Sequence, residues 1–234
     1  MKNVLITAAT KGIGRANAIA FAKEGLNLAI CSRSNDDLLS FKNELLTINP
    51  SIRVFTSVTD CSVKQQVLQF AAEAELQLGF IGIIVNNVGL YSYGSILDDG
   101  DETFESEVNT NLAPAYLLYR YFGKKLMAKR EGHIFNICSV AAISPVAEAG
   151  TYSVTKYALL GLSKVMRLEM QPYGVKVTAV IPGSTLTDSW KGITVDSGRM
   201  VLPDDVASAI INIYKMSAGA NVDEIIIKPV YGQI

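Results

Sequence analysis

Short apolar runs, rich in β-branched residues, alternate along the whole chain with longer stretches of helical periodicity. The runs fall at 4–7, 27–31, 53–57, 82–86, 134–138, 176–181 and 224–228. They are nearly continuous rather than alternating, as parallel strands buried on both faces read. Helical patterns fill the gaps near 13–24, 36–48, 62–78, 101–128, 151–171 and 203–216. A strand–helix alternation of this kind predicts a doubly wound α/β fold, with a parallel seven-stranded sheet and helices on both faces. No internal repeat, low-complexity tract or linker interrupts it, so residues 1–234 are expected to form one domain. The least regular segment, 184–202, is expected to form a flap over a site.

Composition excludes several classes. Lys+Arg (21) nearly balances Asp+Glu (22), which gives neither a nucleic-acid surface nor a polybasic membrane face. Cys31, Cys61 and Cys138 have no metal-ligand spacing, and no metal is expected. Their odd number, without an N-terminal secretory pattern, points to a reducing cytoplasm. His133, the single histidine, stands before a strand run and is expected to be structural.

The first run leads directly into "TAATKGIG", Thr7 to Gly14. At a strand-to-helix turn, free N–H groups and the helix dipole favour a phosphate, and glycines let the backbone approach it. The spacing Thr7-x4-Gly12-x-Gly14 is not a Walker loop, because Lys11 precedes the glycine and no Gly-Lys-Ser/Thr follows. The second run ends Cys31-Ser32-Arg33, without the acidic residue that binds a ribose 2′-hydroxyl. Arg33, with Lys11 on the same side, suits a 2′-phosphate, so NADP(H) is expected rather than NAD. Asp36 and Asp37 are expected to open the following helix. Further on, "TYSVTKYALLG" places Tyr152 and Lys156 four apart on one helical face, where an ammonium stabilises a phenolate. The pair follows a run ending near Ser139, and an earlier run ends in Asn86-Asn87-Val88-Gly89. Both ends should lie at the carboxyl edge of the sheet, where open α/β sheets bind ligands.

With Asn111 in "NTNLA" and Pro182 to Thr187 in "PGSTLT", these motifs make the chain resemble the short-chain dehydrogenases/reductases over essentially its whole length. The resemblance implies a Rossmann-type fold and a cofactor held by Thr7, Thr10, Lys11, Gly12, Ile13, Gly14, Arg33, Asn87, Val88 and Gly89. It implies that Tyr152 protonates a carbonyl oxygen and that Ser139 orients it. Lys156 would stabilise the phenolate and hold the nicotinamide ribose. Asn111 would keep a water in line with Lys156. Pro182, Gly183, Thr185 and Thr187 would hold the nicotinamide.

Three departures stand out. Ala8 replaces a glycine of the family loop and is expected to keep a negative φ. Ser57 replaces an aspartate near the adenine, and Val88 an alanine. The ending "VDEIIIKPVYGQI" resembles reductases of small hydroxy acids and pterins more than fatty-acid reductases. Tyr91, Tyr93, Ile143, Pro145, Val146 and Trp190 are candidates for a substrate pocket. Lys124, Lys125, Lys129 and Arg130 could dock an acidic acyl carrier, or simply complement a helix C-terminus. The implied activity is NADPH-dependent reduction of a ketone: a 3-oxoacyl thioester, or a small hydroxy-acid, diketone or pterin precursor. A catalytically idle NADP-binding sensor is the alternative from another class. Relatives assemble through the two long helices, so a homodimer or homotetramer is expected.

Overall fold

The computed structural model describes residues 2–190, 192 and 196–233. Seven parallel strands form one sheet: β1 (Asn3–Ile6), β2 (Asn27–Ser32), β3 (Val54–Val58), β4 (Ile83–Asn86), β5 (His133–Ile137), β6 (Lys176–Pro182) and β7 (Glu224–Ile227). Their order is β3-β2-β1-β4-β5-β6-β7. Chain direction across the sheet reverses between β1 and β4, which pair directly (Val4 with Ile83, Leu5 with Ile84, Ile6 with Val85). That reversal opens a crevice at the carboxyl edge.

Each strand feeds both faces, because side chains alternate along it. Val4 and Ile6 of β1 join one core with Leu28 and Ile30 of β2 and Phe135 of β5. Leu5, Ala29 and Ile134 face the opposite core. The first core is covered by α1 (Gly12–Lys23), α2 (Asn35–Ile48) and α7 (Pro203–Tyr214), through Phe21, Phe41 and Ile210. The second is covered by α3 (Lys64–Leu78), α5 (Ala113–Lys129) and α6 (Gly150–Met170), through Phe70, Phe122 and Met166.

The 101–128 pattern is two helices rather than one. α4 (Thr103–Asn111) ends before Leu112, and α5 begins with Pro114 in its first turn. Proline removes an N–H and is tolerated only at a helix start, so the chain breaks there. The break leaves Asn111 at a helix terminus, free to reach other elements. Ser34 caps α2 by accepting from Asp37 N at 3.2 Å, with Asp36 and Asp37 in the first turn as the sequence indicated.

The irregular segment after β6 is anchored at its base. Leu186 N donates to Val201 O at 2.9 Å, and Val201 N donates to Ser184 O at 3.0 Å. Short 3-10 turns occupy Asp188–Trp190 and Ser197–Arg199, while residues 191 and 193–195 of the expected flap lie outside the described residues. No described helix is long and apolar enough to cross a membrane.

Candidate active site

The turn from β1 into α1 depends on two glycines. A Cβ on Gly14 would fall 2.4 Å from Ala8 O and 2.5 Å from Asn87 Nδ2, so no larger residue fits. Gly12 adopts φ +51°. Ala8 also has a positive φ, +51°, and this corrects the expectation that it keeps a negative one. Asn87 Nδ2 donates to Thr7 O at 3.0 Å and Ala8 O at 3.1 Å, holding the turn in that shape.

Thr7 is fully buried, and its Oγ1 accepts from Asn87 N at 2.9 Å and Val88 N at 3.0 Å. It therefore joins the two loops that flank the crevice. The N-cap residue of α1, Lys11, makes no side-chain capping hydrogen bond, which suits a helix start that receives an anion. Lys11 lies 3.6 Å from Asp37 and 3.9 Å from Asp188, bridging the crevice between the α2 start and the segment after β6. Arg33 is exposed and has no salt bridge among the described residues. Its charge helps, after the hydrogen bonds from Ser62, to hold the Asp60 carboxyl below its ordinary range.

A cavity of about 710 Å³ runs from this turn across the carboxyl edge. Lys11, Gly12, Ile13, Asn87 and Gly89 line one end. Ser139, Tyr152 and Lys156 line its middle, together with Pro182, Gly183, Thr185 and Thr187. Tyr91, Tyr93 and Val146 line the side next to Tyr152, a mainly apolar and aromatic wall, and Trp190 also lines the cavity. Ile143 does not line it: it ends the short 3-10 turn Val140–Ala142, aside from the cavity. Thr7, Thr10, Val88 and Arg33 also stand outside the lining.

Tyr152 and Lys156 lie one turn apart on α6. Lys156 is 3% exposed, and its Nζ donates to Ile137 O at 3.1 Å. An ammonium has three donors, and a Cβ on Gly89 would lie only 3.3 Å from this one. A buried cation with donors to spare, beside a glycine that leaves room, fits the hydroxyls of a ribose. The Lys156 charge sits 5.6 Å from the Tyr152 ring centroid, and the Tyr91 ring meets that ring edge-on at 5.0 Å. Ser139 Oγ accepts from Ala141 N at 3.2 Å, which leaves its hydroxyl proton to donate elsewhere.

Asn111 is 2% exposed and joins three elements. Its Oδ1 accepts from Leu90 N at 2.6 Å, and its Nδ2 donates to Leu90 O and Thr155 Oγ1, each at 3.0 Å. Thr155 Oγ1 in turn donates to Tyr152 O at 2.8 Å. The side-chain amide protons are thus spent on the protein, and Asn111 fixes the loop after β4 against α6.

Three features had no readable signal in the sequence. Glu107, one turn before Asn111, is fully buried, and burial pushes its carboxyl above the usual range, against Ser92. Thr151 Oγ1 donates to Asp99 Oδ2 at 2.5 Å, docking the loop after β4 onto α6. Gln233, near the C-terminus, lines the cavity. The cations at 124–130 are partly engaged within the chain. Lys125 pairs with Glu75 at 2.5 Å, and Arg130 Nη2 donates to Pro172 O at 3.2 Å.

A doubly wound sheet with an anion-ready helix start, a buried lysine and a neighbouring phenol is the framework of a nucleotide-dependent oxidoreductase. The chain belongs to the short-chain dehydrogenase family, whose model matches residues 2–197. It is 31% identical to a sepiapterin reductase of Chlorobaculum tepidum, over all of this chain and 99% of that protein. An alcohol dehydrogenase of Thermococcus sibiricus, solved with 5-hydroxy-NADP, superposes with a TM-score of 0.91 at 26% identity, covering 100% of this chain and 99% of that one. The L-sorbose reductase of Gluconobacter frateurii, solved with NADPH and L-sorbose, gives 0.90 at 25% identity, covering 97% and 95%.

Proposed function

We propose that this protein uses NADPH to reduce a small ketone to an alcohol. The observation that carries this reading is the convergence of Ser139, Tyr152 and Lys156 on one cavity with the glycine turn. Bound NADPH supplies the hydride. Gly12, Ile13 and the α1 N-terminus hold the pyrophosphate, and Lys156 holds the nicotinamide ribose. Arg33, with Lys11, receives the 2′-phosphate, and the NADP-type cofactors of the two solved relatives support that choice.

The Ser139 hydroxyl donates to the substrate carbonyl oxygen and orients it. The Tyr152 hydroxyl passes its proton to the same oxygen, and the Lys156 charge stabilises the phenolate left behind. Asn111 positions Tyr152 through Thr155. Reduction of a 3-oxoacyl thioester is the second reading. The partial engagement of Lys125 and Arg130 within the chain leaves less charge for an acyl carrier, which favours a small free substrate. The protein is proposed to act as a homo-oligomer in the cytoplasm.

The test is oxidation of NADPH and NADH, in parallel, against diketones, hydroxy ketones, 3-oxo acids and acetoacetyl thioesters. NADPH consumption with one class is the expected result. Tyr152→Phe should lower kcat by roughly 10²–10⁴-fold while leaving NADPH affinity within about twofold. Undiminished turnover in that variant removes the phenol from the mechanism.

A further inference from the structure

The end of β7 and the segment after it lie against the loop that leaves β6. Gly183 N donates to Ile227 O at 2.8 Å, and the Arg199 guanidinium lies 5.4 Å from the Tyr231 ring centroid. Gln233 then reaches the loop itself: its Oε1 accepts from Ser184 N at 2.8 Å and from Ser184 Oγ at 3.1 Å. A Cβ on Gly183 would fall 2.4 Å from Gln233 Nε2 and 2.7 Å from its Oε1, with no closer neighbour. Gly183 is thus the residue that makes room for this amide. With Oε1 held by Ser184, Nε2 is a fixed donor, and it makes no hydrogen bond among the described residues. Gln233 lines the same cavity as Ser139 and Tyr152.

The charge around the cavity narrows what Nε2 can meet. Three charged residues line it among the described residues. Lys156 is committed beneath Tyr152, and Lys11 and Asp188 lie 3.9 Å from each other at the glycine-turn end. The wall of Tyr91, Tyr93 and Val146 carries no charge. Burial raises the Tyr91 phenol above its ordinary range. Among the described residues, no cation lines that wall.

We propose that Gln233 determines substrate specificity: its Nε2 donates to a second oxygen on an uncharged substrate, a vicinal diketone or α-hydroxy ketone whose reacting carbonyl faces Tyr152. This rests on the reductase reading above and adds the substrate class to it.

The test compares Gln233→Ala with the parent protein on butane-2,3-dione, butan-2-one and acetoacetate, with NADPH. For the dione, KM should rise about tenfold with kcat within about twofold, the loss of one hydrogen bond. For butan-2-one, which has no second oxygen, KM should not move. The parent protein should prefer the dione to acetoacetate. NADPH affinity, read by fluorescence, should be unchanged, which also reports an intact fold. An equal KM rise for both ketones, or weakened NADPH binding, would mean that the tail braces the loop and does not read substrate. If the parent protein reduces none of the three, the reductase reading fails separately. Butane-2,3-diol binding to the protein–NADP⁺ complex, by calorimetry, then decides. A roughly tenfold loss in Gln233→Ala supports the proposal, and no binding to the parent protein overturns it.

Discussion

Ala8 is the residue where local preference and tertiary demand conflict. It sits at φ +51°, a region that costs an L-residue with a Cβ about 1–2 kcal/mol. Asn87 enforces the conformation by donating to the carbonyls of Thr7 and Ala8, and Gly14 leaves no space for the turn to relax. Replacing Ala8 with Gly should remove the strain, offset in part by the greater entropy of an unfolded glycine. The expected outcome is a net gain of up to about 1 kcal/mol in urea denaturation at an unchanged m-value. A loss of stability would mean that the turn is held by something other than this backbone geometry.

Strand β5 shows the same argument for an element. His133 opens it, fully buried, with Nε2 2.9 Å from Thr178 Oγ1 on the neighbouring β6. Burial, aided by the charge of Lys176, pushes its pKa down to about 3. The unfolded chain regains a histidine near pH 6.5, so the unfolded state binds the extra proton first. Stability is therefore full above about pH 6.5 and falls as pH drops toward 3, by up to about 1.4 kcal/mol per unit. In His133→Gln, the fall between about pH 6 and pH 4 should be shallower in urea titrations; equal slopes would show that carboxylates alone set the acid limit. The seven strands were legible to within one residue, because buried parallel strands leave continuous apolar runs. The helix broken at Leu112 was misread as one, although Pro114 was in plain view: the apolar periodicity runs through it, and periodicity does not register a missing N–H. The cavity's middle was legible because Ser139 and the Tyr152–Lys156 pair follow strand ends. Gln233 was not, since only the fold brings it to Ser184 from 49 positions away. The sign of φ at Ala8 was equally hidden, because Asn87, which imposes it, is distant in sequence.

At the scale of the whole molecule, α6 presents two faces. Met166 and Met170 are buried against the sheet. On the other side, Val154, Tyr157, Val165 and Leu168 form a stripe at helical spacing, and Leu168 is 70% exposed. Gly161 continues the stripe, with nothing within 4 Å of where its Cβ would be, so a second backbone could approach closely there. Phe104 on α4 and Tyr116 on α5 are also exposed. A stripe of this kind is unfavourable in water and is characteristic of a surface that another chain covers. In the proposed homo-oligomer, a two-fold axis would set α6 against its own copy, because a self-complementary patch satisfies that symmetry. Sizing chromatography with light scattering should give a dimer or tetramer for the parent protein. Val165→Glu with Leu168→Glu should give monomers, because each would bury a charge opposite its own copy. The doubly substituted monomer should keep its NADPH affinity, since neither residue lines the cavity. A parent protein that elutes as a monomer at micromolar concentration would return the stripe to ordinary surface and leave the site to function within one chain.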